Sequence, residues 1–336
     1  MNQERRKLPV VGGTHPIRGI DAVVLLAGGL RPSPLIQGTG LSVLDLPLRC
    51  DTTVLDHWVS VLSQLAVGAS RPIRSAVIAY TSNSPQPSLG DYLTGLPNLR
   101  FVCDQTGLRG PAGTARDICQ HFDDDSTVFL GEAARFVTSD LRGFLKSHET
   151  SDADVTVGCE PDGRPAGIYL TRNRALKSVP TEGFMDLKEQ WLSKALIEGQ
   201  RVRVWTFSQI SSYPLRNWDQ FLDAVRVATH GEGRAEIGPN RRFRMDFGRT
   251  DGNTIIQMPG VEIGQGAFIR DSVLMPGSIV DDETIVVRSY IGPGVHIKRG
   301  ERVIDGLVRA TGRSTTEVIG STGGRIRTRR KGRGRK

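Results

Sequence analysis

At 336 residues, with 38% apolar and 24% charged side chains, the chain is long enough for about two domains and apolar enough to bury their cores. Its net charge of +8 is a local property: Arg325 to Lys336 (RIRTRRKGRGRK) holds eight basic residues and no acid, so the remainder is formally neutral. Cys50, Cys103, Cys119 and Cys159 are scattered, without C-x-x-C or His at zinc-ligand spacing, which suggests neither a disulfide framework nor a zinc knuckle and suits a cytoplasmic location. The opening residues lack the apolar core of a signal peptide, and no stretch approaches the ~20 apolar residues of a membrane span.

Residues 1–19 are polar and rich in Gly and Pro, a flexible lead-in. Asp21 to Leu35 (DAVVLLAGGLRPSPL) then runs apolar and stops at Gly28 and Gly29, followed by Arg31. A continuous apolar run fits a strand covered on both faces. Two glycines after it let the backbone approach a ligand and turn its N–H groups toward an anion, and Arg31 adds a permanent charge suited to phosphate. Thr53 to Leu65 places Val54, Leu55, Trp58, Val59, Leu62 and Leu65 at helical spacing. Strands are predicted over Arg74 to Tyr80, Leu99 to Cys103, Thr127 to Leu130, Val155 to Cys159 and Ala166 to Leu170. Helices are predicted over Ala112 to His121 and Ser139 to Ser147. A further helix (Leu187 to Glu198), a strand (Arg201 to Phe207) and a last helix (Asn217 to Val227) follow. Strands alternating with helices predict a Rossmann-like layered α/β domain over 20–230 with a mixed, mostly parallel sheet. The six histidines show no pairing that suggests a triad or metal site, His57 is placed on a helix surface, and Asp123-Asp124-Asp125 reads as a solvated turn.

Gly231 to Arg244 has no periodicity and marks a linker over 231–252. Beyond it, Val261 to Ile304 repeats isolated aliphatics about every six residues beside Gly, Ser or Ala. Asp271-Ser272-Val273-Leu274 returns as Arg288-Ser289-Tyr290-Ile291, 17 residues later. A six-residue step with a period near 18 is the pattern of a three-faced parallel β-helix, predicted over 253–310 with roughly two and a half coils. Such a stack needs neighbours to cover its ends. Residues 311–336 are predicted to be a disordered basic tail, able to contact nucleic acid or anionic surfaces weakly and without aromatic stacking.

A Gly-Gly-turn α/β domain followed by hexapeptide coils resembles the sugar-phosphate nucleotidyltransferases, or nucleotide-sugar pyrophosphorylases, over about residues 21–308. Leu26-Ala27-Gly28-Gly29 looks like the family's nucleotide loop. Gln105, with Gly110-Pro111-Ala112-Gly113, resembles its base-reading segment, where an amide can donate and accept at one base edge. Gly167-Ile168-Tyr169-Leu170 is similar to its sugar-side strand, implying Gly167 and Tyr169 near the sugar, and the helix at Trp218 to Val225 falls at a family position.

The family joins nucleoside triphosphate and sugar 1-phosphate, releasing pyrophosphate, with Mg²⁺ and cationic side chains stabilising the phosphates. This sequence departs from the pattern there. Gly29-Leu30-Arg31 is a shortened loop in which Arg31 alone can stand for the activating arginine. No lysine occurs between Lys7 and Lys146, and Arg49 is the nearest substitute charge. Where a metal-binding Asp is implied, Leu130-Gly131-Glu132-Ala133-Ala134 offers Glu132, or Ala134 in another register. The second carboxylate falls near Tyr213-Pro214-Leu215-Arg216, where Pro214 cannot ligate and Asp219 reads as an exposed acid of the next helix. The resemblance therefore implies a nucleotide- or sugar-nucleotide-binding protein with weak, altered or lost transfer, using Mg²⁺ if active. Its implied partners are a second copy or a motif-complete nucleotidyltransferase.

Overall fold

The computed structural model describes residues 18–29, 31–67, 69–88, 96, 98–104, 109–230, 255–312 and 315–320. Most of the predicted lead-in, the 231–252 linker, Gln105 and the basic run 325–336 lie outside the described residues.

The chain opens with β1 (Ala22–Leu26), α1 (Pro34–Thr39), β2 (Pro47–Arg49), β3 (Thr52–Thr53) and α2 (Val54–Ala66). Next come β4 (Ser75–Thr81), β5 (Leu99–Asp104), α3 (Gly110–Cys119), β6 (Thr127–Glu132) and β7 (Arg135–Val137). They are followed by α4 (Arg142–Thr150), β8 (Val155–Cys159), β9 (Pro165–Arg172) and α5 (Asn173–Lys177). A π-turn (Leu187–Trp191) leads into α6 (Leu192–Ile197), then β10 (Val202–Thr206), β11 (Ser212–Pro214) and α7 (Trp218–His230).

Seven strands form one sheet in the order β10-β8-β9-β6-β1-β4-β5. Strand β9 runs antiparallel to both neighbours, while the other pairs are parallel, so the sheet is mixed and mostly parallel. The continuous apolar run of β1 is accounted for by cover on both faces. Val23 and Leu25 enter the core under α2 and α7, whereas Ala22 and Val24 enter the opposite core with α3 and α5. Helix α2 starts at a capping box: Thr53 caps the Asp56 amide, and the Asp56 carboxylate accepts from the Thr53 N–H at 2.8 Å. The six apolar positions predicted for its inner face are its buried residues.

Beyond the linker, β12 to β20 are short strands: Ile255–Gln257, Glu262–Ile263, Phe268–Arg270, Ser272–Leu274, Ile279–Val280, Ile285–Val287, Tyr290–Ile291, His296–Ile297 and Arg302–Ile304. They stack in three parallel ladders, β12-β15-β18, β13-β16-β19 and β14-β17-β20, each step pairing residues 17 apart. The repeat is 17 residues, the spacing at which Asp271-Ser272 returns as Arg288-Ser289. Its corners keep the same backbone state. Gly260, Gly277 and Gly294 are left-handed at one corner, and Gly266, Glu283 and Gly300 at the second. Asp271, Arg288 and Asp305 are left-handed at the third. Behind the third corner the Ser272 hydroxyl accepts from the Ser289 N–H and the Ser289 hydroxyl accepts from the Gly306 N–H, both at 3.2 Å.

The stack does not give way to disorder at 311. Strand β21 (Gly306–Gly312) joins the first ladder and folds back antiparallel onto β22 (Thr315–Gly320). This hairpin covers one end of the stack. The coils also pack on the α/β layers: the Trp218 indole N–H of α7 donates to the Arg288 carbonyl at 2.6 Å, and its ring meets Tyr290 edge-on. Helix α1 approaches β21 at Gly38, where a Cβ would stand 2.1 Å from Leu307 Cδ1. Helix α1 and the small β2–β3 and β7–β11 pairs were not legible in the sequence pattern, because each is six residues or fewer per element.

Candidate functional site

The parallel strands β1, β4, β5 and β6 end on one side of the sheet, the usual place for a ligand in an open α/β fold. Leu26 closes β1 there, paired with Ala79 of β4 on one side and Glu132 of β6 on the other. The following turn is tied to β4. The Ala27 N–H donates to the Ala79 carbonyl at 2.7 Å, and the Thr81 hydroxyl donates to the Gly29 carbonyl at 3.2 Å. Gly28 sits so close that a Cβ would lie 2.6 Å from the Thr81 nitrogen, so this glycine has a packing reason independent of any ligand. Arg31 is exposed, without a hydrogen bond or ion pair to the other described residues.

The start of α3 is packed against residues 180–186. Gly110 is left-handed, φ +69°, and a Cβ there would stand 2.5 Å from the Met185 carbonyl oxygen. Pro111 occupies the first turn, where an amide N–H is not needed. Ala112 is completely buried, and its N–H donates to that same Met185 carbonyl, so it has no backbone donor left for a nucleobase. Gly113 makes room for the Arg109 side chain, which is held by Asp117 at 2.8 Å and by the Pro180 and Gly183 carbonyls.

Glu132, at the end of β6, is the electrostatic centre of the crevice. Its carboxylate receives Arg135 at 3.1 Å, Lys188 at 2.8 Å and Arg216 at 3.4 Å. Burial favours its neutral form, but Arg135 and Lys188 together outweigh burial and hold the carboxyl below its ordinary range. Gly167 belongs to the same construction. It is left-handed, φ +75°, and a Cβ would stand 2.6 Å from Arg135 Nε and 3.1 Å from the Glu132 carboxyl carbon. The bare Cα implied to face a sugar is thus covered by an ion pair. Tyr169, two residues along β9, is fully buried; its hydroxyl has no partner among the described residues and feels the charges of Glu132, Arg135 and Asp186.

Arg135 is a fixed post rather than a free cation: it donates to the Ser212 hydroxyl and the Pro165 carbonyl. Ser212 in turn donates to Glu160, a carboxylate only 3% exposed that also accepts from both amides of Ser211 and Ser212. This clamp fixes β11 beside β7, with Pro214 paired to Arg135. The segment implied to carry a second carboxylate is therefore brought to Glu132, and what it delivers is Arg216. Asp219 points elsewhere, pairing with Arg288 of the coils. Ala134 contributes its carbonyl to the Leu215 N–H.

These residues do not fit Mg²⁺. An octahedral cation of this kind needs one or two carboxylates with free oxygens, and here both Glu132 oxygens are engaged by cations. No three His, Cys, Asp or Glu side chains stand together as a metal site among the described residues. Nothing local in the sequence directs Lys188 or Arg216 to Glu132, which neither of them neighbours in the chain. The π-turn that carries Lys188, capped by Asp186 accepting from the Lys188 and Glu189 amides, lies far along the chain.

Arg49 is not at the crevice. Its guanidinium donates to the Ala228 carbonyl at 2.9 Å and lines a separate cavity of about 490 Å³ with His57, Gln64, Phe136, Asp140 and Arg142. His57 is half-buried and not on an open helix surface; Nε2 lies 2.6 Å from the Val137 carbonyl, and burial pushes its imidazole down from the ordinary value. Among the described residues no helix is long and apolar enough to cross a membrane.

No protein-family model matches the sequence, and no curated protein matches it. Among solved structures, the chain is similar to one from Bacillus anthracis described as a glucose-1-phosphate thymidylyltransferase in complex with a sucrose. The identity is 14% and the TM-score 0.48, over 63% of this chain and 96% of that one. It is also similar to HddC from Yersinia pseudotuberculosis, with 11% identity and a TM-score of 0.45, over 61% of this chain and 98% of that one. Likeness at this level bears on neither substrate nor activity.

Proposed function

We propose that the chain is a sugar-phosphate nucleotidyltransferase-type protein that holds a nucleotide or sugar nucleotide at the ends of β1, β4 and β6 and transfers it weakly or not at all. The observation that carries this reading is Glu132: the carboxylate paired across from Leu26, just before the Gly-Gly turn, is bound by Arg135, Lys188 and Arg216. Transfer at an α-phosphate needs cations organised around the phosphates, and here the cations are organised around a protein carboxylate instead. Leu26 to Gly29 line the nucleotide side in this reading, while Gly110 to Gly113, packed on Met185 and Arg109, and Gly167 and Tyr169, covered by the Arg135–Glu132 pair or fully buried, support the nucleotide and sugar sides without facing them. Gln105 lies outside the described residues and remains the proposed base reader. The three ladders form a short parallel β-helix whose free faces serve a second copy or a motif-complete partner.

Purified protein mixed with Mg²⁺, a panel of nucleoside triphosphates and a hexose 1-phosphate is expected to release little or no pyrophosphate above background. The same nucleotides or their sugar conjugates should raise the thermal midpoint. Robust Mg²⁺-dependent pyrophosphate release would overturn the reading.

A further inference from the structure

Three cations converge on one carboxylate at the end of β6, and with Asp186 counted as well the cluster keeps a surplus of one positive charge. Asp186, the other acid nearby, is engaged as the cap of the π-turn. The surplus is not spread evenly. The Arg135 side chain is 10% exposed and fixed by Ser212 and Pro165, whereas those of Lys188 and Arg216 are 35% and 60% exposed. Among the described residues each of these two has one ion pair, to Glu132, and each side chain carries further N–H donors. Like charges held together in a partly buried crevice repel one another, and an anion placed between them relieves that repulsion. The Tyr169 hydroxyl, fully buried and without a partner among the described residues, lies within electrostatic reach of Glu132 and Arg135.

We propose that Lys188 and Arg216, presented by Glu132, form a metal-independent site for a diphosphate, either free or within a nucleoside diphosphate sugar. Glu132 here orients two cations, and those cations take over the charge neutralisation that a divalent ion would otherwise provide. The sugar-nucleotide half of this statement rests on the functional reading above; the diphosphate half does not.

Calorimetric titration of the full chain separates the two. Inorganic pyrophosphate and UDP-glucose are each titrated in EDTA and again in excess Mg²⁺, against wild type, Lys188→Gln, Arg216→Gln and Lys188→Arg. The expected result is binding of both probes in EDTA, weakened about tenfold by either Gln variant, the loss of roughly one charge-assisted contact, and restored in Lys188→Arg. Arg216 is exposed enough that its variant folds even should the Lys188 variant not. Unchanged binding in folded Gln variants overturns the site. Binding of UDP-glucose only with Mg²⁺ overturns the site but leaves the functional reading standing. Pyrophosphate binding without any sugar-nucleotide binding sustains the site and removes the nucleotide. No binding of either probe overturns both.

Discussion

Ser289 in the coil stack and Glu132 in the crevice are each surrounded by polar partners, but the partners come from different distances along the chain. Ser289 is bonded to Val287, Val303, Ser272 and Gly306, all within one 17-residue step. Glu132 is bonded to Arg135, Lys188 and Arg216, the last of them 84 residues away. In the coils one local solution recurs, so the left-handed corner and the ladder bonds return every 17 residues, with a hydroxyl behind the third corner at Ser272 and Ser289. In the α/β domain the sheet order does the assembling, and no partner of Glu132 beyond Arg135 is set by local spacing.

The contact that joins the two regions gives the largest expected effect. Trp218→Ala removes a fully buried ring, its bond to Arg288 and its edge contact with Tyr290. It should cost about 3–5 kcal/mol in urea unfolding. Should the coils unfold independently in that variant, the transition will split in two. Ser289→Ala tests the local side: the buried Gly306 N–H loses its acceptor, with an expected loss of about 1–3 kcal/mol. A much smaller loss would mean the ladder is held by its apolar core alone.

The α/β side has its own pH signature. His148 is fully buried, its Nδ1 is 2.8 Å from the Thr156 hydroxyl, and burial pushes its imidazole down to about 3. The folded state therefore rejects a proton that the unfolded chain accepts below its ordinary value of 6.5. The stabilising contribution is complete above that value and is lost as pH falls from 6.5 toward 3. Between pH 7 and 5.5 the loss should be about 1 kcal/mol, and His148→Leu should flatten that part of the stability profile. The smallest effect is expected at Tyr290, where the ring packs on Trp218 but the buried hydroxyl has no partner among the described residues. Tyr290→Phe should change stability by under about 0.5 kcal/mol in either direction. A clear destabilisation would show that the hydroxyl is bonded in solution.

Much of the architecture was legible because its signals are local or periodic. The run Val23 to Leu26, the helical spacing around Trp58 and the return of Asp271-Ser272 as Arg288-Ser289 all correspond to elements in the structure. The ambiguity fell where elements are short or where packing decides. The pairs β2–β3 and β7–β11 lack enough residues to show a pattern, and the helix predicted over 187–198 begins as a π-turn in which the Trp191 N–H donates five residues back to the Asp186 carbonyl at 2.9 Å. Of the candidate site, the positions Gly28, Gly110 and Gly167 were visible as glycines, but not what each admits. Gly28 admits Thr81, Gly110 admits Met185 and Gly167 admits Arg135.

Sequence alone specified the alternation of strands and helices, the 17-residue coil step and the confinement of the net positive charge to 325–336, because each depends on residues near one another in the chain. The tertiary structure decided the state of the crevice. Only the pairing of β6 with β1, and the clamp that lays Pro214 to Arg216 beside β7, bring Lys188 and Arg216 onto Glu132. Charge that is neutral on average along a chain becomes a concentrated anion site once folding sorts it in space.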